Sequence, residues 1–169
     1  MIKAGGADSV IPLMKMFEKF GIPSVGVIDK DKKIEKNLPD SDELFFTTSK
    51  CFDSEIVKRI IRQKRVTDLE RILVEYDRNG ISRCIDKNKL EKIIKEFGYK
   101  GITVQKSYKF EELTNVDKLF EVMYVSWFSI NKGIMLGKTI GELLDKDEIP
   151  PCYRKAIIKA KELAVKYAR

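Results

Sequence analysis

The chain has 169 residues, 43% hydrophobic and 35% charged, which is enough apolar side chain for one compact core and too much for a disordered chain. Against 26 acidic residues stand 33 lysines and arginines, a formal charge of +7, and the absence of histidine removes the usual imidazole ligands of zinc. No apolar run approaches the ~20 residues of a membrane span.

Cys51, Cys84 and Cys152 are odd in number, scattered and without a CxxC pair, so they read as reduced thiols of a cytoplasmic protein. The start of the chain lacks the basic-then-apolar pattern of a signal peptide. The basic balance points to a polyanionic partner held by salt-sensitive attraction, or to the Lys-, Glu- and Ile-rich composition of growth at high temperature.

In chain order, residues 2–5 (IKAG) are expected to form a short strand ending at Gly5 and Gly6. Asp8 or Ser9 then caps a helix that tolerates Pro12 in its first turn, sets Val10, Leu13, Met14 and Phe17 on one face, and stops at Gly21. The stretch "IPSVGVID" is apolar on both faces, as in a parallel strand covered by helices, and "ELFFTT", 43–48, is a third strand. Strand, helix and strand in this order make a right-handed crossover. Helices are predicted from Asp53 to about Tyr76 with a break near Arg65–Thr67, over Lys89–Phe97 ended by Gly98, and over Asn115–Phe128 as a buried element. Two more follow, over Gly133–Leu144 and from Pro151, the last with Tyr153, Ile157, Ala160, Ala164 and Tyr167 on one face. "GITVQKSYKFEELTN" fits no regular pattern and reads as loop. The expected organisation is an α/β core over 1–60, a helical insertion over 61–128, and C-terminal helices over 129–169 that pack back on the core.

Ligands of open parallel sheets bind beyond the carboxyl ends of the strands, where "SVGVIDKDKK" places Asp29 and Asp31. In an extended segment these two point to the same side and can converge on one cation. Oxygen-only ligation favours Mg²⁺ or Mn²⁺, and a bound cation relieves the repulsion between the carboxylates. The plain alternative is that Asp29 ends a strand and Asp31 opens a solvated turn. "KGIMLGKT" (132–139) mimics a phosphate-binding loop, but its glycines are too close together and it follows a helical segment. Lys58, Arg62 and Arg65 share a predicted helical face that either tracks a nucleic-acid backbone, together with Lys30 and Lys32, or is simply solvated. Trp127 and the phenylalanines near it read as core.

The stretch "GGADSVIPLMKMFEKFGIPSVGVIDKDKK" resembles the second half of a TOPRIM domain, as found in the OLD-family (overcoming lysogenization defect) ATP-dependent endonucleases. "FFTTSKCFDSEI" is similar to that family's next strand and acidic motif, and "NKGIMLGKTIGELLDKDEIPPCYRKAIIKAKELA" looks more loosely like its C-terminal segment. The resemblance implies a partial TOPRIM, Rossmann-like fold: a small, mostly parallel sheet flanked by helices, followed by an all-helical region. It implies a Mg²⁺- or Mn²⁺-dependent hydrolase that cleaves DNA by two-metal chemistry. Asp29, Asp31 and Glu55 would be metal ligands, with Asp53 as rival to Glu55. Lys132, or else Lys138, would steady the cleaved phosphate beside the catalytic Glu55. The family's first strand carries a further metal-binding glutamate, and none precedes Gly5 here. The expectation is therefore either a module completed by a separate ATPase or upstream chain, or a non-catalytic remnant that binds nucleic acid or protein. A sheet lacking its first strand presents an open edge, which points to self-association.

Overall fold

The computed structural model describes residues 7–77, 83–113 and 118–167. The described chain is mixed α/β and divides into two compact units, one formed by residues 1–55 with 149–169 and the other by residues 56–148. No helix among the described residues is long and apolar enough to cross a membrane. The strand expected over 2–5 lies outside the described residues.

In the first unit, α1 (Ala7–Lys19) leads through Gly21, at φ +67°, into β1 (Gly26–Ile28). A six-residue helix, α2 (Lys30–Glu35), then crosses to β2 (Leu44–Phe46), which pairs with β1 in parallel, Val27 opposite Phe45. Both strands are shorter than predicted. Pro23 has no amide to give a ladder, and the chain turns helical immediately after Asp29. α1 lies on β1, and α8 (Pro151–Tyr167) packs against both strands. α1 meets the sheet across Gly26, where a Cβ would sit 2.6 Å from Met14 Sδ and 2.8 Å from Val10 Cγ1. The fully buried residues of α8 are Cys152 and Ala156; of the predicted stripe only Tyr153 turns inward, while Ile157 and Tyr167 stand about half exposed or more. Small residues let the helix approach the sheet closely, and the larger aliphatics turn outward.

α3 (Phe52–Arg62) begins in the first unit, and from Ile56 onward belongs to the second. The second unit continues with α4 (Val66–Tyr76), α5 (Lys87–Phe97), α6 (Lys118–Ile130) and α7 (Ile134–Leu143). The break between α3 and α4 falls at Lys64, φ +59°, beside the predicted position. Asp86 caps α5 by accepting the Asn88 amide at 2.9 Å, and Gly98 ends it in the left-handed region. α6 is buried on every side from Val122 to Phe128, with Trp127 against Tyr76 and Phe128 at ring distances of 5.3 and 5.5 Å. β3 (Cys84–Ile85) and β4 (Tyr108–Lys109) form a minimal antiparallel pair, the second of them inside the stretch the sequence presents as loop. α7 packs on α4 within this unit, and α8 belongs to the first, so the C-terminal helices fall in different units.

Candidate functional site

The carboxyl ends of β1 and β2 open onto one stretch, residues 47–52, and the side chains of Asp29 and Glu55 meet on it. Asp29, next after β1, accepts the Phe52 amide at 2.9 Å and so holds the first turn of α3. Glu55, one turn into α3, reaches back to the loop, where its Oε2 accepts the amides of Thr48 at 2.5 Å and Ser49 at 3.2 Å. Thr47 ties the two strand ends together: its Oγ1 accepts the Lys30 amide at 2.9 Å and donates to the Ser49 carbonyl at 2.8 Å. Asp53 and Glu55 are each 4% exposed. Glu55 Oε1 is buried and has no hydrogen-bond partner.

The same loop gathers softer groups. Tyr153, at the start of α8, packs its ring edge-on against Phe52 with centroids 5.0 Å apart. Burial raises its phenol pKa, and the negative charge of Asp29 adds to the effect. Burial also pushes the Cys152 thiol up to about 12, helped by the charge of Glu55. At neutral pH both are uncharged.

The pairing logic of Asp29 and Asp31 needs correction. Asp29 is still extended, but the chain turns helical from Lys30 and Asp31 is the second residue of α2, so the strand's two-residue alternation does not carry through to Asp31. Asp31 Oδ1 accepts the Lys32 amide at 2.7 Å, while its own amide donates to the Lys50 carbonyl at 3.2 Å. Asp29 and Glu55 are instead brought to one loop by strand end and helix start, a convergence set by topology. Among the described residues, no group of three or more acidic or cysteine side chains is arranged to hold a metal ion.

Among the basic residues, Lys30 donates from Nζ to the Thr48 carbonyl at 3.4 Å and so stays at the loop. Lys32 pairs with Glu35 at 2.5 Å. Lys58, in the second unit, lies 3.8 Å from Glu121 and over the Tyr99 ring at 5.4 Å. Lys58 and Arg62 are on α3, but Arg65 is not, because the helix ends at Arg62. Arg65 turns toward Asp68, Asp145 and Glu148, and the predicted three-residue face does not form. Lys132 is an exposed residue between α6 and α7 of the second unit, and Lys138 on α7 lies 3.7 Å from Glu142.

Sequence reasoning did not single out Thr47 or Tyr153 as members of the site. A hydroxyl closing a strand end carries a weak signal, and Tyr153 reads first as a helix-face residue. Comparison with known proteins returns no matching family model, no similar curated protein and no similar solved structure.

Proposed function

We propose that the acidic end of the β1–β2 pair is a divalent-cation site of TOPRIM type, serving a phosphodiester-cleaving module that acts on DNA, alone or with a partner chain. The observation that carries this reading is Glu55 Oε1, a buried carboxylate oxygen without a donor on the loop that Asp29 also holds. Leaving such an oxygen unsatisfied costs roughly 1–3 kcal/mol, and a cation is the partner its chemistry asks for. Asp29 and Glu55 are the leading ligands, Asp31 and Asp53 the next candidates, and Mg²⁺ or Mn²⁺ supplies a Lewis acid to the phosphate. Lys30, held at the loop through the Thr48 carbonyl, is the cation of this unit for the phosphoryl oxygens. The test is titration calorimetry with Mn²⁺ beside nicking of supercoiled plasmid in Mg²⁺ or Mn²⁺. Heat on binding and cleavage that Asp29→Ala abolishes are expected; a flat titration with intact plasmid defeats the proposal.

A second reading has its own observation. Asp29 accepts the Phe52 amide and Glu55 those of Thr48 and Ser49, so these two carboxylates serve as staples of the 47–52 loop. On this reading the chain is a non-catalytic domain that binds nucleic acid or protein. It predicts DNA binding that survives Asp29→Ala and weakens steeply with salt, and binding indifferent to salt, or none, leaves a protein partner.

A further inference from the structure

Glu148, in the turn after α7, is the most deeply buried acid among the described residues, at 0% exposure, and Asp68 on α4 is 4% exposed. Counting hydrogens shows what holds them. Arg65 Nε has a single proton, and it goes to Asp68 Oδ2 at 2.8 Å. Arg65 Nη2 meets Asp145 Oδ2 at 2.8 Å, and Arg71 Nη1 donates to Asp68 Oδ1 at 3.1 Å. Glu148 Oε2 accepts the Asp145 amide at 2.9 Å. That leaves Glu148 Oε1 with Arg65 Nε at 3.5 Å, a donor already aimed at Asp68, and it accepts no hydrogen bond.

With both acids ionised, two buried negative charges would share one guanidinium edge and one oxygen would stay unsatisfied, an expensive arrangement. A proton on Glu148 Oε1, donated toward the Asp68 carboxylate, removes both faults. We infer that Glu148 and Asp68 form a proton-sharing carboxyl pair, with Glu148 the neutral donor, which latches the Asp145–Glu148 turn to α4 and loosens that end of the turn when the proton leaves. Burial raises the Glu148 pKa above its ordinary 4.5, and the adjacent Asp68 charge adds to this against the opposing Asp145 amide and Arg65. The charged groups facing the pair are Arg65 from the α3–α4 link, Arg71 from α4 and Asp145 from the turn itself. Arg59 of α3 and Gln63 just beyond its end hold the Asp147 carbonyl as a separate fastening of the turn.

The sign follows from linkage. Because the folded-state pKa lies above the unfolded one, the latch contributes fully below pH 4.5 and is lost as pH rises through the folded value. The experiment is a ¹³C-carboxyl NMR titration of the full chain with amide exchange followed over residues 145–148. The Glu148 resonance is expected to titrate above 4.5, with exchange at Asp145 accelerating over the same interval. Asp68→Asn, which offers a donor in place of the charge, lowers that midpoint, and Glu148→Gln keeps the turn protected at every pH. A wild-type midpoint at or below 4.5, exchange indifferent to pH, or a midpoint unmoved by Asp68→Asn overturns the inference.

Discussion

In the second unit buried Asp68 is set against two arginines; in the first, buried Glu55 is turned toward backbone amides. Asp68 and Glu148 stand around Arg65, while Glu55 and Asp29 are fastened to the amides of Thr48, Ser49 and Phe52. The cores differ in the same sense. The second unit is organised around α6, whose large side chains are inaccessible all round, whereas α1 of the first unit buries no residue fully. A unit with so thin a core relies on main-chain fastenings, and these are the groups that make up its candidate site. Stability and chemistry there rest on the same atoms.

The contrast can be broken most forcefully at Trp127. Trp127→Ala removes a side chain with no exposed surface and is expected to cost about 3–5 kcal/mol in urea unfolding. A smaller loss would mean that α6 does not organise its unit. Next comes Glu55→Ala, which strips the acceptor from two loop amides at an expected roughly 1–3 kcal/mol, while Glu55→Gln keeps an oxygen and most of the stability. Equal losses from both would show that charge matters more there than the amide bonds.

Thiol chemistry sharpens the picture without perturbing the fold. At pH 8 exposed Cys84 reacts quickly with a disulfide reagent, while Cys152, buried and raised to about 12, reacts only on unfolding. Since the raised thiol favours its protonated form, its contribution is complete below pH 9.0 and fades as pH climbs toward 12. The smallest effect belongs to the exposed Lys87–Glu91 pair at 3.7 Å, where Lys87→Ala should change stability by less than about 0.5 kcal/mol.

Helices with apolar periodicity were legible from the residues alone. The stretch from Asp53 to Tyr76, with a break expected near Arg65–Thr67 and found at Lys64, the Gly98 stop and the enclosed α6 all carry spacing or punctuation that tertiary packing does not override. α2 was not legible, because "KDKKIE" has one aliphatic, Ile34, and that side chain is exposed. Reading it as extended produced the faulty alignment of Asp29 with Asp31. β3 and β4 are two residues each, too short for any period to register. On α8 the pattern misled, since a helix can choose its small residues over its large ones when the sheet below lies close. At the candidate site, Asp29 and Glu55 were both nominated from sequence, but what joins them, a shared grip on one loop, is a property of topology that no local pattern encodes.

Gly26 has a consequence for variation. Because the side-chain ends of Met14, Val10 and Leu44 already fill the space where its Cβ would be, any other residue there requires those three side chains to move. A saturation library scored for soluble expression should therefore favour glycine at position 26, with alanine the next best retained, while half-buried Val25 and Val27 admit other aliphatics on either side.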